Sequence, residues 1–147
     1  MAEIFGTLYD EARRDGIQEF LVGLVVTSEN GILLLKRKSD DFLPHHWEVP
    51  GGHVEPGETL PEAMGRELEE ETGLILEHVG PLVAQFDCDG EIGRSREWDF
   101  LVRWKSVRPI SHPEHIDMLW ATADNWHTLL MTEEMRALVA SVLADLT

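Results

Sequence analysis

The stretch from Gly52 to Leu74, GHVEPGETLPEAMGRELEEETGL, decides how this chain is read. Thr59 with Glu62 three residues later is a capping-box pair, Pro61 is tolerated in a first helical turn, and Gly73 closes the other end, so the spacing predicts a helix between them. Five glutamates stand on that helix: Glu62, Glu67, Glu69, Glu70 and Glu71. At about 100° per residue with Glu67 at zero, Glu71 lies at about +40° and Glu70 at about −60°. Leu60, Met64 and Leu68 fall at roughly +20°, +60° and +100°, so the apolar and carboxylate stripes share a side. Glu62 and Glu69 point away and read as solvated. Like charges at this spacing repel, and the C-terminal half of a helix is the negative end of its dipole. Arg66, able to pair with Glu62 or Glu70, offsets only part of that. A divalent cation is the natural reason to gather Glu67, Glu70 and Glu71; a helix made soluble by charge is the bland alternative.

Before this stretch, Ile4, Phe5, Leu8, Tyr9 and Ala12 recur at helical spacing ahead of Gly16. Phe20 to Thr27 and Ile32 to Lys38 are strand-like runs joined through Asn30-Gly31, a hairpin signal. Trp47-Glu48-Val49 is a short extended piece that Pro50-Gly51-Gly52 is expected to break. After the helix, residues 74–87 and 97–107 read as strands with Asp89-Gly90 in the turn between them. Met118 to Ala121 is a further short strand. Met135, Leu138, Val139 and Val142 mark an amphipathic closing helix over 132–146. Strands on both sides of a central helix, plus a terminal helix, predict an α/β fold with a mixed sheet between helical layers. One domain covers residues 1–147, with 1–16 as a helical extension.

The chain has 147 residues, 43% hydrophobic and 27% charged, with 12 Lys and Arg against 28 Asp and Glu, a net charge of −16. That balance argues against polymeric nucleic acid held through its phosphates, which needs clustered Lys and Arg. It leaves room for a small phosphorylated ligand bridged by metal ions. The single cysteine, Cys88, permits no internal disulfide and suits a reducing cytoplasm, where it reads as a buried thiol. No signal peptide and no bilayer-length apolar run is evident, so a soluble cytoplasmic protein without membrane contact is expected.

From Gly52 the spacing is five residues to Glu58, seven more, then Arg66-Glu67-Leu68-Glu69-Glu70-Glu71-Thr72-Gly73-Leu74. This resembles the Nudix box, G-x5-E-x7-R-E-U-x-E-E-x-G-U with U a bulky aliphatic, at every fixed position. Trp47-Glu48-Val49-Pro50-Gly51-Gly52 is similar to the segment leading into it. The resemblance implies an α/β/α Nudix fold of the MutT-like kind from about residue 18 onward. It also implies Mg2+- or Mn2+-dependent cleavage of a diphosphate linkage in a nucleoside diphosphate derivative.

Carried over, the resemblance makes Glu67, Glu70 and Glu71 the metal-binding carboxylates, with the Gly51 carbonyl a further ligand. It puts Arg37, Glu48, Gly51 and Gly52 at the substrate, and makes Glu58 and Arg66 a supporting salt bridge. The general base is a box glutamate, Glu67, or a carboxylate of a later loop, Glu114; Glu97 and Asp99 stand behind them, although strand alternation explains that pair equally well. His53 and Phe42 depart from nucleotide-sanitising members, which often carry Lys and His there. Markers of ADP-ribose and dinucleoside polyphosphate hydrolases are absent. The resulting expectation is a pyrophosphohydrolase of a nucleoside triphosphate or modified nucleotide, releasing nucleoside monophosphate and pyrophosphate. A nucleotide-sugar hydrolase and a non-catalytic nucleotide-sensing domain are the alternatives. Homodimerisation is compatible with such folds, but no interface is legible. Each of Trp47, Trp98, Trp104, Trp120 and Trp126 reads as core before base-stacking residue.

Overall fold

The computed structural model describes residues 2–29, 31–39, 43–90, 93–106 and 117–146. In chain order the elements are α1 (Ala2–Arg14), β1 (Glu19–Val25), β2 (Ile32–Lys36), β3 (Trp47–Glu48) and β4 (Gly51–His53). They continue with α2 (Leu60–Thr72), β5 (Ile75–Asp89), β6 (Arg94–Lys105), β7 (Asp117–Ala121), a short 3-10 turn (Trp126–Thr128) and α3 (Glu133–Leu146).

The strands form two sheets, ordered β4-β1-β6-β5 and β3-β2-β7. The first is mixed, since β1 runs parallel to β6 and antiparallel to β4. The hairpin expected from Asn30-Gly31 exists only at its base, where Thr27 bridges Ile32 and Leu33 N–H donates to Val26 C=O. Beyond it β1 and β2 part into different sheets. The turn signal was sound, but each strand found a longer partner elsewhere: β1 pairs with β6 from Glu19 to Val25, and β2 with β7 from Ile32 to Lys36. The break expected at Pro50-Gly51-Gly52 falls at Val49-Pro50, but Gly51 and Gly52 are themselves strand. Pro50 ends the pairing of β3, and the chain crosses to the other sheet as β4.

Period-two alternation divides the core. Val22, Leu24 and Val26 with Trp98, Phe100 and Val102 turn to one side of the mixed sheet. There they pack on Leu8 and Ala12 of α1 and on Leu60, Ala63, Met64 and Leu68 of α2. Val25 turns the other way and joins Ile32, Leu34, Trp47, Val49 and the buried face of α3: Met135, Leu138, Val139, Val142 and Leu143. The result is a mixed α/β fold whose sheets are flanked by helices. Among the described residues no helix is long and apolar enough to cross a membrane.

The central helix has the ends read from its sequence. Thr59 Oγ1 accepts from Glu62 N–H at 3.2 Å, and Glu62 Oε1 accepts from Thr59 N–H at 3.1 Å. Gly73 ends the helix in the left-handed region at φ 77°, donating to Glu69 C=O. Cys88 is exposed, not buried as expected, because it lies near the free end of the β5–β6 ribbon. Thr59→Ala should reduce unfolding free energy by about 1 kcal/mol, read from urea denaturation, since one capping hydroxyl is lost.

Candidate active site

The shortest strand organises the site. β4 hydrogen-bonds to β1 through alternate residues, as the bonds Leu24 N–H to Pro50 C=O and Val54 N–H to Phe20 C=O show. Gly51 and His53 therefore direct their backbone groups off the other edge. An edge strand with unpaired backbone groups needs partners, and α2 supplies them. Gly51 N–H donates to Glu71 Oε1 at 2.6 Å, and Arg66 Nη2 donates to His53 C=O at 2.9 Å.

Glycine is required along this contact. A Cβ on Gly51 would collide with the Val22 carbonyl, and one on Gly52 would lie 2.6 Å from Glu67 Oε1. The Glu67 carboxylate is thus seated against the bare Cα of Gly52. Glu67 and Glu71 are buried, whereas the Glu70 side chain is half exposed. The shared stripe read from the sequence divides here: two of its carboxylates dock against β4 and the third reaches outward. Glu62 and Glu69 are both exposed, and Glu62 is used in the helix cap.

Arg66 ties these groups together. Its Nε and Nη2 bind Glu58 Oε2 and Oε1 at 2.7 and 2.9 Å, a bidentate pair. Its Nη1 reaches Glu67 Oε1 at 2.8 Å and Glu70 Oε2 at 3.2 Å. The hydrogen-bonded guanidinium holds the Glu58 carboxyl down at about 2, below its ordinary 4.5, and Glu58 in turn raises Arg66.

The donor set suits a hard divalent cation: carboxylate oxygens on one helix facing a strand too bare to exclude a ligand. Among the described residues no three His, Cys, Asp or Glu side chains converge into a closed metal cage. Mg2+ does not need one, because it usually takes one or two carboxylates and keeps waters or substrate phosphates for the rest.

Gly51 and Gly52 line a cleft of about 300 Å3 whose walls include Gly23, Arg37, Trp47, Glu48, Phe86 and Glu97. Arg37 Nη1 donates to Glu48 Oε1 at 2.7 Å, so these two expected substrate residues meet across β2 and β3. Leu43 and His45, at φ 57° and 63°, put left-handed strain into the loop beside them. A roomier groove of about 850 Å3 lies between α1 and the loop before α2, lined by Phe5, Tyr9, Phe20, Pro56 and Pro61 among others. Gly51 and Gly52 do not border it, and the chemistry is assigned to the smaller cleft.

Glu97 lines the cleft, and Asp99 lies buried two residues further along β6. Asp99 is fully buried, and no donor among the described residues reaches either of its oxygens. Burial first, and then the neighbouring Glu97 carboxylate, pushes the Asp99 carboxyl well up; burial also raises Glu97, against a hydrogen bond from Asp99. Alternation along β6 places the two together, but only the tertiary structure reveals that Asp99 lacks a donor. Glu114 and Phe42 lie outside the described residues.

The NUDIX domain family model matches residues 20–142. A curated m7GpppN-mRNA hydrolase, NUDT17, of Xenopus laevis is 36% identical over 104 residues, covering 70% of this chain and 29% of that protein. An RNA pyrophosphohydrolase of Shewanella piezotolerans is 32% identical over 122 residues, covering 69% of this chain and 68% of that one. The crystal structure of a MutT NUDIX hydrolase from Burkholderia pseudomallei superposes with a TM-score of 0.71 at 24% identity, over 84% of this chain and 97% of that one, a likeness of fold. The chain thus spans under a third of the frog relative and about two thirds of the bacterial one.

Gly52→Ala should leave the fold intact, because the displaced Glu67 carboxylate ends a flexible side chain, yet reduce turnover at least tenfold. Gly51→Ala should instead lower the melting temperature by several degrees, since its Cβ meets backbone; circular dichroism and a phosphate-release assay separate the two. Glu58 generates a pH prediction. Its folded pKa lies below the unfolded 4.5, so its stabilisation is complete above that value and is lost as pH falls toward about 2. The stability gap between wild type and Glu58→Gln, measured by urea unfolding, should be full at neutral pH and close across that window.

Proposed function

The chain belongs to the Nudix family, and on that footing we propose that it is a pyrophosphohydrolase of a nucleoside triphosphate or modified nucleotide, releasing nucleoside monophosphate and pyrophosphate. The observation that carries this reading is the seating of Glu67 and Glu71 against Gly52 and Gly51 at the edge of the cleft. Glu67, Glu70 and Glu71, with the Gly51 carbonyl, are the groups that would hold Mg2+ or Mn2+. Such an ion, when bound, supplies charge neutralisation at the phosphoryl oxygens and a lowered pKa for the attacking water.

The protein's own residues provide the rest. Gly51 and Gly52, having no side chains, let phosphates approach the backbone closely. Arg66 holds Glu67 and Glu70 by one carboxylate oxygen each. Arg37, anchored by Glu48, offers a guanidinium to the substrate's phosphates. Trp47 and Phe86 give the cleft apolar surface for a base. Glu67 or Glu114 serves as the general base. The net charge of −16 favours a small substrate over a polymer.

The names of the relatives motivate a second reading, hydrolysis at the 5′ end of an RNA. One panel tests both: nucleoside triphosphates, nucleotide sugars and a 5′-triphosphorylated oligoribonucleotide, each with Mg2+ and with product identification. The expected outcome is release of pyrophosphate from a free triphosphate; inactivity on every triphosphate would overturn the main reading, and exclusive action on the oligonucleotide would favour the second. Glu71→Gln should lower kcat by two orders of magnitude or more while retaining the wild-type circular dichroism spectrum. A change of less than tenfold would remove Glu71 from the metal site.

A further inference from the structure

We propose that Glu97 is a specificity-determining residue that accepts a hydrogen bond from an amino group of the substrate's base, and that Asp99 is the positioning residue that holds it. This rests on the nucleotide reading of the cleft above.

Three observations carry it. First, β1 and β6 are paired in register, with Leu21 opposite Glu97 and Gly23 opposite Asp99. All four side-chain positions share the sheet face that floors the cleft, since side chains alternate along a strand. Second, Gly23 exists to make room there. A Cβ on it would collide with Asp99 Oδ1 and lie 3.1 Å from Glu97 Oε2, so the two carboxyl groups fill the space that a side chain would take. Third, Asp99 is wholly buried with no donor to either oxygen among the described residues, whereas Glu97 reaches the cleft wall.

A buried carboxyl with no donor nearby is satisfied by carrying a proton and giving it to an acceptor. The acceptor at hand is Glu97. Glu97 lines the cleft, where Arg37 Nη1 donates to Glu48. Arg37, Glu48, Asp87, Cys88, His46 and Glu134 complete the titratable lining among the described residues. The Arg37 charge also acts on Glu97, and a substrate N–H would be a further donor to that carboxylate. Gly51 and Asp99 both pair with Gly23, from opposite sides of β1. They are two strand spacings apart, about 10 Å, comparable with the distance from a nucleotide's phosphate to the far edge of its base. A substrate whose phosphates lie at the glycines of β4 presents its base to Glu97.

The test is calorimetric binding of GMP, IMP, CMP and UMP to the intact protein in excess Mg2+. Guanine carries an amino group that hypoxanthine lacks, and cytosine carries one where uracil has a carbonyl. Wild type should prefer GMP to IMP and CMP to UMP by about tenfold or more, the usual weight of a hydrogen bond to a charged group. Glu97→Gln should abolish both preferences, because Asp99 then holds the amide oxygen and turns the amide NH2 toward the cleft. Asp99→Ala should also lose them, while Asp99→Asn, which still has an N–H to donate to Glu97, should retain them. Thermal unfolding of each variant confirms that the comparison is between folded proteins, and the Asp99 pair keeps the test decisive if Glu97→Gln does not fold. Equal binding within both pairs, binding of none of the four at millimolar concentration, or preferences that survive Glu97→Gln would overturn the proposal. Failure of the pyrophosphohydrolase reading is distinct: it is an absence of triphosphate turnover, which does not enter this binding measurement.

Discussion

The contact between the edge of β4 and the charged face of α2 is the constraint on which the site depends. A three-residue strand at the margin of a sheet has backbone groups that water or a neighbour must satisfy. Here Glu71 accepts from Gly51 N–H and Arg66 donates to His53 C=O, so two side chains one helical turn and a little more apart complete a β-edge. The spacing works because residues 51 and 53 face the same way along the strand, while Arg66 and Glu71, about 140° apart around the helix, flank the side that carries Glu67. Those two bonds fix the distance between helix and strand. The same distance places the Glu67 carboxylate on Gly52.

That contact also answers an electrostatic problem. Carboxylates on the last turns of a helix meet the negative end of its dipole and one another. Glu71 is partly compensated by a backbone N–H, and Glu67 and Glu70 by a guanidinium whose other face is held by Glu58. Arg66 is hydrogen-bonded to three carboxylates and a carbonyl, so the cluster is cross-linked within the fold.

Much of this was legible in the sequence. Thr59, Glu62 and Gly73 announce both ends of α2 because capping is a local interaction, and the box spacing carries Glu58, Arg66, Glu67 and Glu71 with it. What was not legible depended on long-range pairing. Thr27 bridges Ile32 at the base of the expected hairpin, but no local signal says that β1 runs beside β6 and β2 beside β7. Pro50 and two glycines read as a break, whereas they change the sheet to which the chain belongs. Cys88, between Asp87 and Asp89, lies exposed near the end of the β5–β6 ribbon, a position set by the strand pairing. The split of the carboxylate stripe escaped the helical wheel for a related reason: a wheel gives angles, and the partner facing each angle belongs to another element.

Three glycines, 23, 51 and 52, lie on adjacent strands and do different work. Gly51 and Gly52 bring strand to helix, and Gly23 leaves a void that carboxyl groups fill. Each would be read alone as a weak point in a strand. Gly23 and Gly51, paired in register, leave one face of the sheet bare, and Gly52 on the opposite face admits Glu67, so that buried carboxyl groups stand both at the α2 end and at the β6 end. At the α2 end the charges are compensated by Arg66 and backbone N–H groups. At the β6 end no donor among the described residues reaches Asp99, and burial pushes its carboxyl well up. The two ends therefore differ in kind: carboxylates paired with a guanidinium and a backbone N–H stand at one, and a buried carboxyl whose ionised form is disfavoured stands at the other. This asymmetry gives the cleft a direction, which a substrate with a charged end and a neutral, hydrogen-bonding end can follow.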